Sequence, residues 1–160
     1  MKRQGTVVAF VAALLLVVPV WHSEAGSGSA VAAMSTEDQM IAEAMGVDQK
    51  WVKLWNDRKW DELGTLYAPD AIAVPANHEP VRGREAIVEY YRGGRDVFGE
   101  MEGGTETWRA SASGKLVSLV GKFSVFSGRV RMTSHTLYEH QPDGSLKLTV
   151  DMFGFRDPAM

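Results

Sequence analysis

Leu66-Tyr-Ala-Pro-Asp-Ala-Ile-Ala-Val-Pro75, followed by Val81-Arg-Gly-Arg-Glu-Ala-Ile-Val-Glu-Tyr-Tyr91, is the part of the chain that decides the fold. The first segment reads as the end of a helix, an acidic turn at Asp70 and a short strand, because Pro69 cannot continue a helix. Asp70 suits a turn or a helix cap better than acid chemistry. The second segment reads as a glycine turn at Gly83 and a new helix.

Composition limits what lies around this stretch. The chain has 160 residues and 45% of them are hydrophobic, which fits one domain with a real core. The formal net charge is -3 and no basic run stands out, so nucleic acid is not an expected partner. The absence of cysteine from the sequence excludes disulfides, a thiol nucleophile and cysteine-ligated metal sites.

The first 25 residues have the pattern of a secretory signal peptide. Met1 to Gln4 is basic, Gly5 to Val20 is almost wholly apolar, and Ser23 and Ala25 supply the small residues that a signal peptidase recognises. The alternative is an uncleaved membrane anchor, but the apolar run is shorter than the roughly 20 residues of a spanning helix. We therefore expect a secreted or periplasmic protein without membrane contact after cleavage.

The remaining chain is predicted to hold a flexible lead-in over 26–34 and one domain over 35–160. Ser35 is a suitable N-cap for a first helix. Its helical stripe is apolar except for one acid and consists of Ile41, Ala44, Asp48, Trp51 and Trp55. Asn56-Asp57 should end this helix, a short helix should follow over Trp60–Tyr67, and Arg84–Arg92 should form a third that Gly93-Gly94 ends.

From Thr105 onward the sequence changes to strands rich in β-branched and aromatic residues. The predicted strands are Thr105–Ser111, Lys115–Phe126, Arg129–His140 and Leu146–Phe155. Gln141-Pro-Asp-Gly144 is a hairpin turn signal. Helices followed by an antiparallel meander predict an α+β domain.

The chain resembles the nuclear transport factor 2-like superfamily, which includes SnoaL-like cyclases and ketosteroid isomerases. The resemblance rests on the opening stretch, on Gly121-Lys-Phe-Ser124 and on the hairpin from Tyr138 to Phe153, and it spans Asp38 to Phe155. It is strongest toward the small domains related to the calcium/calmodulin kinase association domain. The resemblance implies N-terminal helices packed in a strongly curved antiparallel sheet that forms a cone with a pocket, and it implies a fold more than an activity.

In the ketosteroid isomerases the resemblance implies an aspartate base and an oxyanion hole. Alignment on Leu66-Tyr67 places the hydroxyl-donating tyrosine at Trp51, the base near Pro75 and a supporting tyrosine at Tyr91. Proline cannot take a proton and an indole N–H can only donate, so isomerase chemistry is not predicted. Trp51 and Tyr91 are either pocket-lining or plain core aromatics.

His135 and Asp151 form a second candidate site. A three-residue turn at Pro142-Asp143-Gly144 would place Glu139 opposite Lys147 and His135 opposite Asp151. An imidazole directly opposite a carboxylate is suited to general-base chemistry. The same register places this pair on the outer, more polar face of the sheet, where a structural ion pair or a subunit contact is the alternative.

His78 lies in a predicted loop near the pocket mouth and is the third catalytic candidate, with an exposed loop histidine as the alternative. His135 and His140 point to opposite faces of a strand and cannot share a metal. No metal site and no cofactor are predicted.

Three functions are compatible with the sequence. The first is an exported domain that binds a small apolar or amphipathic molecule; the second is a SnoaL-like enzyme for proton-transfer chemistry of the isomerase, cyclase or hydratase type; the third is an assembly module without a ligand. A homodimer is the expected assembly. The predicted pocket-lining residues are Trp51, Trp55, Tyr91, Trp108, Met132, Thr136, Tyr138 and Met152.

Overall fold

A computed structural model describes residues 34–156, without the side chains of residues 102–105 and 108. The predicted signal peptide and all but the last residue of the predicted lead-in lie outside the described residues. The described residues belong to one compact unit. Within them, no helix combines the length and the apolar character that a membrane crossing requires.

Three helices precede or interrupt one six-stranded sheet. The helices are α1 (Thr36–Asn56), α2 (Trp60–Gly64) and α3 (Arg84–Phe98), and the strands are β1 (Tyr67–Pro75), β2 (Val81–Arg82), β3 (Glu102–Ser113), β4 (Leu116–Val125), β5 (Val130–His140) and β6 (Leu146–Phe155). The strand order is β2-β1-β6-β5-β4-β3, with β1 and β6 parallel and all other neighbours antiparallel. The predicted α+β cone is confirmed as a curved, mixed sheet around the helices.

The first helix begins as its sequence predicts. The Ser35 hydroxyl accepts a hydrogen bond from the backbone N–H of Asp38 at 3.1 Å, and two acids occupy the first turn. The helix ends at Asn56, whose side-chain amide donates to the carbonyl of Met101 and accepts from its N–H, both at 2.9 Å. These two bonds hold the end of α1 against the start of β3.

The third helix is longer than predicted, because it runs through Gly93 and Gly94 to Phe98. Two glycines cost roughly 2 kcal/mol of helix propensity. The loss is offset by tertiary contacts: the Phe98 ring packs edge-on against that of Phe126 at 5.7 Å, and Arg95 is buried. The Arg95 guanidinium donates to the carbonyl of Trp55 at 3.3 Å and to Glu100 at 3.4 Å, which holds the last turn of α3 against α1.

The two opening segments are bound to each other at the start of β1. The predicted second helix ends early, at Gly64, and Asp70 lies exposed within β1 rather than in a turn. The Arg84 guanidinium donates twice to the carbonyl of Tyr67, at 3.0 and 2.7 Å. Gly83 has φ +84° and its N–H bonds the carbonyl of Ala71 at 2.8 Å, a conformation that favours glycine.

A β-bulge in the final hairpin changes the predicted register. Glu139 faces Lys147 as expected, but Thr149 is an extra residue, so Leu137 faces Val150 and His135 faces Met152. The Thr149 hydroxyl donates to the carbonyl of Leu137 at 3.1 Å and stabilises the bulge. Every side chain of β6 beyond the bulge therefore points to the face opposite the one predicted.

Candidate functional site

A cavity lies between the helices and the inner face of the sheet. About 60 Å³ of it admits water-sized molecules, inside an empty space of about 660 Å³ that includes solvent at its mouth. The walls are formed by Asp48, Trp51, Trp55, Tyr90, Tyr91, Gly94, Phe98, Met101, Phe123, Val125, Met132, Ser134, Thr136, Leu148, Asp151 and Phe153. Most of these side chains are apolar or aromatic, which is typical of a small-molecule site.

The helix side of the cavity is a cluster of aromatic rings. Trp51 stacks on Trp55 with a centroid distance of 5.5 Å, and the Tyr91 ring packs edge-on against both, at 5.3 and 5.8 Å. The Phe153 ring on β6 lies 6.1 Å from Tyr91. These contacts lock the ring positions, so the shape of the cavity wall is set before any ligand enters.

Asp151 lies at the polar end of this cavity. Its Oδ2 accepts hydrogen bonds from the hydroxyls of Tyr67 and Tyr91, both at 2.6 Å. The Tyr67 hydroxyl accepts in turn from the indole N–H of Trp51 at 2.7 Å. Since an indole N–H can only donate, Tyr67 must use its own proton toward Asp151, and the direction of the chain from Trp51 to Asp151 is fixed.

The second carboxyl oxygen of Asp151 faces the cavity. Among the described residues, none donates a hydrogen bond to Oδ1. Every fully buried side-chain oxygen or nitrogen of these residues has a partner, so Oδ1 is not fully buried. Oδ1 is therefore accessible from the cavity, although the residue as a whole is only 7% exposed. Because both donors occupy Oδ2, a proton bound by Asp151 belongs on Oδ1, where a ligand would meet it.

The environment makes this aspartate a weaker acid than usual. Burial raises the pKa of Asp151 above its ordinary value, and the hydrogen bonds from Tyr67 and Tyr91 oppose that rise. Burial and the nearby Asp151 charge hold the pKa values of Tyr67 and Tyr91 well above the usual range. Both tyrosines therefore remain hydroxyl donors at any ordinary pH.

Other polar groups are few and lie on facing elements. Ser134 and Thr136 project from β5, and Asp48 projects from α1. The Tyr138 hydroxyl donates to Asp48 at 3.3 Å. Within the described part of the chain, no group of three or more histidines and acids could hold a metal ion.

The structure places most of the predicted pocket residues around this cavity. Its walls include Trp51, Trp55, Tyr91, Met132 and Thr136. Tyr138 is fully buried beside the wall rather than in it. The prediction for Met152 is wrong, because the bulge turns it outward and leaves it 42% exposed. The side chain of Trp108 lies outside the described residues.

The three catalytic candidates do not come together. His135 is on the outer face, opposite Met152, with its Nε2 2.9 Å from the Ser118 hydroxyl. The predicted opposition of His135 and Asp151 is wrong, since the bulge carries Asp151 to the inner face, where it faces Thr136 on β5. His78 is exposed outside the cavity, although its ring lies 5.1 Å from that of Tyr90 in the wall.

Among the residues that sequence reasoning missed, Tyr67 and Asp48 supply polar groups. In the sequence, Tyr67 serves only to align the chain with the family, but its hydroxyl donates a hydrogen bond to Asp151. Asp48 is the one acid on the apolar stripe of α1, and an acid in that position is itself a signal of a cavity. The bulge that brings Asp151 inward has no clear sequence signal.

Comparisons with known proteins agree with this architecture. Residues 49–149 match the model of the SnoaL-like domain family. A nuclear transport factor 2-like protein of unknown function from Pseudomonas putida is similar in structure, with 18% identity, a TM-score of 0.59 and coverage of 76% of this chain and 88% of that one. A comparison with curated proteins found no match.

Two further solved structures have the same fold. A putative calcium/calmodulin-dependent protein kinase type II association domain from Thiobacillus denitrificans has 12% identity, a TM-score of 0.63 and coverage of 71% and 94%. A ketosteroid isomerase-like protein from Erwinia carotovora atroseptica has 13% identity, a TM-score of 0.62 and coverage of 76% and 99%. The family match and these folds show that the chain belongs to the SnoaL-like domain family, within the nuclear transport factor 2-like fold.

Proposed function

We propose that this domain binds a small, largely apolar molecule whose one polar group reaches Asp151 in the wall of the cavity. The observation that carries the proposal is the open Oδ1 of Asp151 in an apolar, aromatic cavity. Oδ2 has two tyrosine donors and Oδ1 has none among the described residues, so a donor on a ligand would offset part of the free-energy cost of burying this carboxyl.

The dimensions of the cavity limit the ligand. About 60 Å³ of the cavity admits water-sized molecules, which leaves room for only a few heavy atoms of a ligand. A larger apolar part would extend into the part of the cavity that opens to solvent. An aromatic ring or a short branched chain with one polar end matches this shape.

Filling the cavity from the sheet side should weaken the binding of a small ligand. Ser134 lines the cavity from β5, opposite Phe153, and a Ser134→Leu side chain would occupy part of its empty space. We expect the affinity for benzyl alcohol, measured by ligand-observed NMR titration, to fall about tenfold or more. Thr133→Leu is the matched control, since the adjacent residue of a strand points to the opposite face. Equal binding by both variants would contradict a ligand site in this cavity.

A second function, proton-transfer catalysis, is favoured by one specific observation. When Asp151 is protonated, the proton lies on Oδ1, the oxygen that faces the ligand, and burial raises the pKa of this carboxyl above its ordinary value. A group so placed can act as a general acid or base. Turnover of a bound compound that Asp151→Asn abolishes while binding persists would favour the enzyme over a binding domain; unchanged turnover in that variant would exclude Asp151 as the acid or base.

We also propose export, on the sequence pattern of the first 25 residues, and self-association as a homodimer, which the resemblance to this fold implies. Protein isolated from its producing cell should begin near Gly26, because signal peptidase is expected to cut after Ala25. Amino-terminal sequencing of the purified protein measures this. A chain that keeps Met1 and fractionates with membranes would contradict export. Analytical ultracentrifugation of the same protein tests the homodimer.

A further inference from the structure

We propose that the polar group of the ligand is a cation, a protonated amine or an ammonium group. This inference rests on the proposed function, because it names the ligand class of the same cavity. It follows from the charges that line the cavity, from its aromatic walls and from the open oxygen of Asp151.

The charge of the cavity wall has one sign. Asp48 and Asp151 supply carboxyl groups, and among the described residues that form the wall none is lysine, arginine or histidine. The buried Arg95 follows the wall residue Gly94, but it is not part of the wall. Its guanidinium binds the Trp55 carbonyl and Glu100. An anionic ligand would therefore find no opposite charge on the described residues of the wall, whereas a cation would be attracted to Asp151.

The carboxyl groups of Asp48 and Asp151 both act on the hydroxyl of Tyr138. Tyr138 is buried between the strands, and its pKa is raised first by burial and then by the charges of both Asp48 and Asp151. Both acids therefore lie near enough to Tyr138 to act on its hydroxyl, and both line the same cavity. An ammonium group there would offset a charge that the protein otherwise buries at a cost.

The remaining walls also suit a cation. Seven aromatic side chains line the cavity: Trp51, Trp55, Tyr90, Tyr91, Phe98, Phe123 and Phe153. The electron-rich faces of such rings attract ammonium and alkylammonium groups, and tryptophan does so most strongly. A neutral alcohol gains only burial and one hydrogen bond from the same walls.

Protonation of Asp151 makes the inference measurable. The groups that face this carboxyl are the hydroxyls of Tyr67 from β1 and Tyr91 from α3, with Thr136 opposite on β5. Asp48 on α1 lines the same cavity. A cation binds the ionised carboxylate better than the neutral acid, so cation affinity should rise with pH as Asp151 loses its proton and then level off. Since the pKa of Asp151 is raised, this rise lies above the range of an ordinary carboxyl.

The test compares two probes of nearly equal shape, benzylamine and benzyl alcohol, by isothermal titration against the wild-type protein. Benzylamine stays protonated at mildly acidic and neutral pH, so any change in its affinity reports the protein. We expect benzylamine to bind about tenfold or more tightly than the alcohol at neutral pH, and to lose much of that advantage at acidic pH. The alcohol should show little pH dependence.

Asp151→Asn keeps an oxygen that can accept from both tyrosines but removes the charge, so the preference for benzylamine should disappear. Asp70→Asn is the matched control, since it removes an exposed acid of β1 and should keep the preference. If the alcohol binds as well as the amine at neutral pH, the cation inference is wrong and the proposed binding function stands. If neither probe binds wild type, or both bind the Ser134→Leu variant unchanged, the cavity is not the site and both proposals fall.

Discussion

Replacing Trp55 by alanine is expected to lower the free energy of unfolding by about 3–5 kcal/mol. Trp55 is 3% exposed and its ring contacts the rings of Trp51, Trp60 and Tyr91. Its indole N–H donates to the carbonyl of Gly99 at 3.1 Å, beyond the end of α3. The substitution removes a large buried ring that holds α1, α2 and α3 together. Chemical denaturation followed by far-ultraviolet circular dichroism measures the loss.

Trp60→Ala is the control for this prediction. Trp60 is half-buried and meets Trp55 edge-on at 5.9 Å, so its loss should cost about 1–2 kcal/mol. Equal costs for the two variants would show that Trp55 is no more central than its neighbour. Since small domains have total stabilities of about 5–15 kcal/mol, the Trp55 variant should be partly unfolded in mild denaturant.

The second large effect is expected for Tyr67→Phe, which should lower the free energy of unfolding by about 2–4 kcal/mol at neutral pH. The lost hydroxyl leaves the indole N–H of Trp51 without its acceptor and takes one of two donors from Asp151. That donor lowers the pKa of Asp151, so the pKa should rise further in the variant. Urea denaturation over a pH series measures both consequences.

The protonation of Asp151 determines how the stability cost of Tyr67→Phe changes with pH. Below the ordinary carboxyl range Asp151 is neutral in both proteins, and the cost of the variant should be smallest there. As pH rises through the raised pKa the carboxyl ionises, and the variant with fewer donors should lose more stability than wild type. Tyr91→Phe removes a donor from Asp151 alone and should cost less. A cost independent of pH would show that Tyr67 does not act on the charge of Asp151.

Much of the fold could be predicted because its signals are local. The Ser35 cap, the break at Asn56 and the turn before Leu146 depend on neighbouring residues, and the structure places these boundaries as expected. The end of α3 could not be predicted in this way. Gly93-Gly94 predicts a helix end, but contacts of Arg95 with Trp55 and of Phe98 with Phe126 extend the helix, and those partners are distant in sequence.

The site was less predictable than the fold, since it depends on the phase of one strand. Three- and four-residue spacing places aromatic residues of α1 and α3 in the cavity correctly, because this spacing is unbroken in both helices. On β6 the two-residue alternation of a strand puts Met152 inside and Asp151 outside, and one bulged residue reverses both. Hydrogen bonds between Tyr67 and Asp151 join residues 84 positions apart, which no local pattern reveals.

The bulge at Thr149 means that chain length, rather than residue identity, decides which chemistry the cavity presents. Deleting Thr149 would restore plain alternation along β6, withdraw the carboxyl of Asp151 to the outer surface and turn the thioether of Met152 inward. A single-codon deletion would thus replace the carboxyl of Asp151 by the thioether of Met152 in the cavity wall without substituting any residue. Related domains that differ by one residue in this hairpin should accordingly be compared by strand phase before they are compared by sequence.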